Sequence, residues 1–280
     1  MVTLVVLNYN DADTTISYIE RVKEYSCFDH IIVVDNCSTD NSMSELRTYE
    51  TELIRVIQTD RNGGYGYGNN WGVKYAIENY ASKYVLITNP DVDYSEDVVS
   101  ILEKDIISKK NVGVVAPKMR NKDGSYSPLG AWKIPSLAQV VLINAKHPNK
   151  MAKVFGTRKY QDLLHWKGVH EVECVPGSML LVDTNAFISS GSYDENIFLY
   201  GEETVLGIRM KESGFITLLD TNVSFLHNHS VSINKTVKCE RKRMEVMWES
   251  RKYIIQRYYK PSFITRELIK LYAWYNIRQF

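Results

Sequence analysis

The 280-residue chain has four cysteines, at positions 27, 37, 174 and 239, and no two of them form a C-x-x-C pair. This scarcity excludes a zinc ribbon and a C-x-x-C redox centre, and it suits a reducing compartment. No apolar run approaches the ~20 residues that a membrane-spanning helix needs. Met1–Leu7 lacks a basic leader and runs straight into Asn8-Tyr9-Asn10-Asp11, so it reads as a first strand rather than a signal peptide. The expected location is therefore the cytoplasm. No G-x-x-x-x-G-K-[ST] occurs, which argues against a P-loop. There is no internal repeat and no low-complexity stretch. The composition, 44% hydrophobic and 24% charged, is that of a globular protein, and the length suits one large domain or one domain with an appendage.

The net charge of +1 hides an asymmetry. Residues 238–280 hold 11 Lys/Arg against 4 Glu, a charge of +7, which leaves −6 for residues 1–237. The same C-terminal segment carries nine aromatic residues. Basic and aromatic character together suit an anionic membrane surface. They suit equally a helical hairpin packed on the main domain with a solvated basic face.

The first 120 residues alternate strand-like and helical patterns. Strands are expected at Thr3–Leu7, His30–Val34, Leu53–Ile57, Tyr84–Thr88 and Val112–Ala116. Helices are expected at Asp11–Tyr25, Ser42–Tyr49, Tyr65–Tyr80 and Glu96–Ile107. Such alternation implies an α/β fold with a mainly parallel central sheet covered by helices on both faces. Ligands of such sheets bind beyond the carboxyl ends of the strands, where Asn8, Asp35, Asp91 and Asp93 fall. After Pro117 the pattern weakens. Residues 134–170 read as an insertion that shapes a second pocket. Strands return at Val172–Val182 and Phe215–Phe225, with a helix at Glu202–Ser213 between them. From Lys238 the chain is helical, broken at Pro261.

Four stretches carry candidate chemistry. Tyr84-Val-Leu-Ile-Thr-Asn-Pro-Asp-Val-Asp93 ends a buried strand with carboxylates at i and i+2, which extended backbone sets on one face. Converging carboxylates suit a hard divalent ion shared with substrate phosphates, as a nucleotide-diphosphate donor requires. Asn62-Gly-Gly-Tyr-Gly-Tyr-Gly-Asn-Asn70 permits close backbone approach to a phosphate or sugar, or it is simply a loop before a helix start. Gly201-Glu202-Glu203 opens a helix, where the dipole alone favours acids. One of the pair also suits a general base toward an acceptor hydroxyl. His227 and His229 close a strand, where a histidine can complete a metal site or serve the structure.

Taken in order, Val5-Val-Leu-Asn-Tyr-Asn10, Val34-Asp-Asn-Cys-Ser-Thr-Asp-Asn-Ser42, Asn62-Gly-Gly-Tyr65, Asn70-Trp-Gly72, Asn89-Pro-Asp-Val-Asp93, Pro176-Gly-Ser178, Gly191-Ser-Tyr-Asp-Glu195, Phe198-Leu-Tyr-Gly-Glu-Glu203 and His227 closely resemble the family-2 inverting glycosyltransferases of GT-A fold. The likeness is greatest to the bacterial rhamnosyltransferase-like branch that builds capsule, O-antigen and cell-wall polysaccharides, and it covers about residues 1–232. The resemblance implies a catalytic domain over 1–237, with a nucleotide-binding half (1–116) and an acceptor half (117–237), followed by a helical segment over 238–280. It implies that Leu7, Asn8 and Tyr9 line a nucleotide-base pocket and that Asp35 accepts hydrogen bonds from the base. Asn62, Gly63, Asn70 and Asp91 are expected on the nucleotide side. Asp93 is the expected principal ligand of Mg²⁺ or Mn²⁺, with Asp91 and His227 beside it. Gly177, Ser178 and Asp194 are expected on the acceptor side. Glu203 is the expected base, next to Glu202.

Two departures from the family pattern count. The acidic pair is Glu-Glu rather than Glu-Asp, and the family's next Asp is Val205. Arg209 matches a family arginine, with a structural role or a phosphate contact. The implied donor is a dTDP- or UDP-sugar, dTDP-rhamnose among them. The implied acceptor is a lipid-linked glycan at the inner face of the plasma membrane, met through a peripheral contact of 238–280. Three rivals remain at this stage. A sugar nucleotidyltransferase would want a basic phosphate loop, but Arg61 is the sole cation in 59–73. A non-catalytic carbohydrate-binding relative is kept open by Glu-Glu-Thr-Val205. A nucleic-acid partner lacks any recognition motif.

Overall fold

The computed structural model describes residues 2–142, 159–228 and 240–278. His229 lies outside them. The strands are β1 (Val2–Asn8), β2 (Phe28–Asp35), β3 (Ile54–Gln58), β4 (Tyr84–Thr88), β5 (Val92–Asp93), β6 (Val112–Arg120), β7 (Val169–Val172), β8 (Met179–Asp183) and β9 (Ile216–His227). The helices are α1 (Ala12–Val22), α2 (Ser42–Arg47), α3 (Tyr65–Tyr80), α4 (Glu96–Ile106), α5 (Leu137–Leu142), α6 (Thr184–Ser189), α7 (Glu202–Glu212), α8 (Glu240–Ile254) and α9 (Phe263–Ile277).

All nine strands join one sheet of order β3-β2-β1-β4-β8-β6-β9-β5, with β7 paired to β9. The expected parallel character holds for β3-β2-β1-β4. Beyond β4 the sheet is mixed, because β8 enters antiparallel between β4 and β6 while β6 and β9 run parallel. Strand alternation divides the core. Leu4 and Val6 of β1 face α1, α2 and α4, in one cluster with Tyr18, Leu46 and Leu102. Val5 faces the other way, in a cluster with Val73 of α3 and Phe187 of α6. Both sheet faces are thus buried, which is why these strands read as unbroken apolar runs.

Three expectations change. The strand expected at Val172–Val182 is two strands, β7 and β8, which pair with different neighbours; Pro176, which has no N–H to give a ladder, lies in the loop between them. The strand expected to stop at Ala116 continues to Arg120. Its register shifts between Pro117 and Lys118, which lets the sheet absorb the proline. The expected boundary between 116 and 117 therefore falls inside one strand.

At the C-terminus, α8 passes through a π-helical turn (Ile255–Tyr259) to Lys260 in the left-handed region, and then Pro261. The Ser262 hydroxyl accepts from the Thr265 N–H and caps α9. Trp248 and Ile255 pack against Ile269 and Ala273 of α9 and against Val140 of α5.

Candidate active site

A cavity of about 660 Å³ opens at the carboxyl ends of β1 and β4. Three walls meet there. One comes from the first half of the chain and is mainly polar: Asn8, Tyr9, Asn36 and Asn62, with Leu7 among them. The floor holds Asn89, Pro90 and His227. The far wall is mainly apolar, with Leu129, Trp132, Pro135, Val140, Met247 and Ile254. Glu202 and Glu203 line the space between, beside Gly177 and Ser178.

The polar wall rests on a buried network. The Asn8 amide donates to Asp35 Oδ1 (2.9 Å) and accepts from the Thr15 hydroxyl (2.8 Å). Asp35 also accepts from the Ser38 N–H (3.0 Å), the Ser38 hydroxyl (2.6 Å) and the Gln58 amide (3.1 Å). A carboxylate offers about four acceptor positions, and Asp35 is fully buried. Its expected hydrogen bonds to a base are thus replaced by bonds to Asn8, Ser38 and Gln58. Asp35 shapes the pocket edge without lining it.

Much of the glycine-rich stretch is engaged by protein, although Asn62, Gly64 and Tyr65 still line the cavity. Gly64 has φ +92, and a Cβ there would lie 2.1 Å from the Phe198 carbonyl oxygen. The next N–H, of Tyr65, donates to that same oxygen (3.1 Å). A Cβ at Gly63 would strike the Tyr67 ring at 2.3 Å. Asn70 donates to the Tyr193 carbonyl and Glu195 (each 3.0 Å) and accepts from the Tyr193 N–H (3.1 Å). Gly64 and Asn70 therefore stitch α3 to the 193–198 loop, while Gly63 packs on Tyr67. Neither Gly63 nor Asn70 lines the cavity, whereas Asn62, Gly64 and Tyr65 do.

Asp91 and Asp93 do not converge. Asp91 lies in the turn before β5, so the two-residue alternation of a strand does not reach it. Asp93 is half exposed and faces Arg21 Nε at 3.5 Å. Asp91 is nearly buried, with Oδ1 3.3 Å from His227 Nε2. The antiparallel register of Val92 with His227 brings these two together. Asp91 Oδ1 has no hydrogen-bond partner, and a buried carboxylate oxygen beside an imidazole nitrogen is the donor set of a divalent-cation site. The pair fits a metal. Asp93, expected as principal ligand, is paired with Arg21 instead, and no group of three or more His, Cys, Asp or Glu ligands forms among the described residues.

The two glutamates differ. Glu202 is 5% exposed, and burial, reinforced by the charge of Glu203, pushes its carboxyl well above the usual range. Its Oε2 has no hydrogen-bond partner. Glu203 is more open, and its Oε1 lies 3.5 Å from the Gly177 N–H. The Tyr65 hydroxyl donates to the Gly177 carbonyl (2.6 Å) and fixes that loop. Val205, where the family pattern has an acid, is fully buried against Ile197 and Ile254. A carboxylate there would face α8, which accounts for the departure.

Asp194 also departs from expectation. It is 2% exposed and pairs with Arg209 (3.0 Å) while accepting from Tyr258 (2.6 Å), Tyr253 (3.0 Å) and Asn196 (2.9 Å). Burial opposes its charge, but the bonds from Tyr258 and Asn196 and the Arg209 guanidinium together hold its carboxyl below the ordinary value. It latches the C-terminal helices to the domain and does not line the cavity. Arg209 is structural by the same contacts. Sequence reasoning missed Met247, Arg251 and Ile254 as cavity residues. The apolar positions of α8 show no more than a buried stripe, and the sequence does not say what the stripe faces.

The profile of "Glycosyl transferase family 2" matches residues 3–165. The chain belongs to that family, in its rhamnosyltransferase-like branch, and is a glycosyltransferase. It is 27% identical over 213 residues to the N-acetylglucosaminyl-diphospho-decaprenol L-rhamnosyltransferase of Mycobacterium tuberculosis, covering 73% of this chain and 68% of that protein. It is 23% identical over 235 residues to the low-salt glycan biosynthesis hexosyltransferase Agl10 of Haloferax volcanii, covering 82% and 67%. Among solved structures, the Pyrobaculum calidifontis mannosyltransferase in complex with GDP-Man and Mn²⁺ superposes with TM-score 0.60 at 14% identity, over 98% of this chain and 69% of that one. GalNAc-T7 with UDP, GalNAc and Mn²⁺ gives TM-score 0.60 at 12% identity, and the chain spans half the length of that protein. These likenesses show the GT-A fold.

Proposed function

We propose that this glycosyltransferase moves a sugar, with inversion, from a dTDP- or UDP-sugar to a hydroxyl of a lipid-linked glycan during assembly of a bacterial surface polysaccharide, and that it meets the membrane through 238–280. The observation that carries the reading is one cavity that Glu203 lines together with polar residues from the first half of the chain and apolar residues from 129–140 and α8. The polar wall suits a nucleotide. Apart from Arg251, the apolar residues there have few groups to bond sugar hydroxyls and suit the aglycone of a lipid-linked acceptor. The rhamnosyltransferase relative, whose own name carries a diphospho-decaprenol acceptor, supports the same choice.

In this reading Asp91 and His227 hold Mg²⁺ or Mn²⁺, which supplies charge neutralisation for the leaving diphosphate. Glu203 takes the acceptor proton as the hydroxyl attacks the anomeric carbon opposite the leaving group. Glu202 lies beside it, nearly buried, its carboxyl raised by burial and by the charge of Glu203. The Gly177 loop keeps Glu203 aimed across the cavity.

A donor screen by thermal shift, with dTDP- and UDP-sugars and each metal, tests the donor class, because a bound donor raises the melting temperature by mass action. Glu203→Gln should lower kcat by about 10²–10⁴ and leave donor affinity unchanged, while Glu202→Gln should change kcat little. If both variants turn over like the parent, the base lies outside this pair.

A further inference from the structure

Six of the fourteen large apolar side chains that stay exposed among the described residues belong to α9. Ile264 (72% exposed), Leu268 (61%), Leu271 (65%) and Tyr275 (54%) recur at i, i+4, i+7 and i+11, which makes one continuous stripe. The inner face of the helix is already used, since Ile269 and Ala273 pack on Trp248, Ile255 and Val140. A 15-residue helix apolar on both faces thus carries a second surface that nothing among the described residues covers.

The chemistry at the edge of the stripe selects what covers it. The Arg278 guanidinium lies 3.8 Å from the Trp274 ring centre, and that of Arg266 lies 5.9 Å from the ring of Phe263. Such pairs put a ring at the acyl boundary while the guanidinium reaches phosphate. Segment 238–280 carries +7 against −6 for the rest of the chain. Two copies meeting through this segment would repel each other. An anionic bilayer attracts the same segment and turns the acidic remainder outward. The helix, about 22 Å long, is shorter than the ~30 Å hydrocarbon core, and no described helix is long and apolar enough to cross.

We propose that α9 is an interfacial helix that lies in the plane of an anionic membrane with its Ile264–Leu268–Leu271–Tyr275 stripe in the headgroup–acyl boundary. Val140 belongs both to the cluster under α9 and to the apolar wall of the cavity, so this docking brings the acceptor wall to the bilayer. The proposal gives the lipid-linked acceptor reading its geometry and rests on it for purpose alone.

The test is flotation of the full chain with vesicles of equimolar phosphatidylglycerol and phosphatidylcholine, and with phosphatidylcholine alone. Binding should need the anionic lipid and weaken with salt. Leu268→Ser with Leu271→Ser should weaken it by on the order of tenfold per leucine. Ile107→Ser and Ile188→Ser, equally exposed but remote in sequence, should leave it unchanged. Calorimetric binding of nucleotide diphosphate should match the parent in the double variant, as should its melting temperature. Three results overturn the proposal: no binding to either vesicle, double-variant binding equal to the parent's, or a dimer in sedimentation velocity that the double variant dissolves. A chain that binds vesicles yet transfers no sugar refutes the transferase reading alone. One that transfers sugar but ignores vesicles refutes this proposal alone.

Discussion

At the scale of single residues, the strand-end acids show why types and spacing were not enough. Asp-Val-Asp93 carries the right chemistry, but the turn at Asn89-Pro90 holds Asp91 outside the strand and breaks the alternation that would have made the acids neighbours. The consequence is a testable division of labour. Asp91→Asn and His227→Ala should each abolish the difference that EDTA makes to nucleotide-diphosphate affinity in calorimetry. Asp93→Asn should retain it, because that side chain lies in solvent against Arg21. An exposed ion pair is worth at most ~1 kcal/mol, so Asp93→Asn should also leave the melting temperature nearly unchanged. Loss of the EDTA effect in Asp93→Asn alone would reverse the assignment.

At the scale of elements, α4 and β9 are joined by an unusual contact. Asp105 of α4 and Asp220 of β9 bring two carboxyls together, and burial, with the charge of Asp220, pushes the Asp105 carboxyl up to about 6. A carboxyl raised in the folded state binds its proton more tightly there than in the unfolded chain. Its contribution to stability is full below its ordinary value of 3.8 and is lost as pH rises through about 6. Asp105→Asn should therefore stabilise the protein at pH 7–8 by about 1–2 kcal/mol, once solvent screening of this half-buried pair is allowed. At pH 4 it should change little. Urea melts at the two pH values check it, and an equal effect at both would discard the pairing. The strands and helices that carry such contacts were legible wherever one hydrophobic period ran without interruption. Tyr65–Tyr80 and Tyr84–Thr88 have the bounds the sequence implies. The pattern failed at Pro117 and at 173–178, where pairing partners far along the chain decided whether a strand continued or split.

At the scale of the whole molecule, α8 is part of the site and not an attachment to it. Ile254 supports both Gly201, where a Cβ would come 2.6 Å from its Cδ1, and Val205. The acidic pair therefore opens a helix whose first turn leans on α8. Asp194 fastens the same unit through Arg209, Tyr253 and Tyr258. Asp194→Ala leaves Arg209 without its buried partner and should cost about 3 kcal/mol. The parent should unfold in one cooperative calorimetric transition, with the helices melting together with the sheet. The variant should melt at lower temperature, with kcat reduced through displacement of Glu203. A parent that already melts in two steps would show α8 and α9 to be independent of the catalytic unit. Asp194 and Arg209 stood out in the sequence as motif residues, but nothing in residue order tied either of them to Tyr258 and the C-terminal helices.

The strand that runs unbroken through Pro117 has a practical consequence for recombination. An exchange of donor specificity between relatives would naturally be spliced where the first half appears to end, at 116. That junction cuts β6 between β8 and β9, and the Gly64–Phe198 contact would be left to two unrelated parents. Crossovers placed in the 121–126 turn, after β6 has closed, would transmit the nucleotide wall intact. The 193–201 loop would have to travel with it as a second graft, because Gly64 and Phe198 bind the two stretches into one unit.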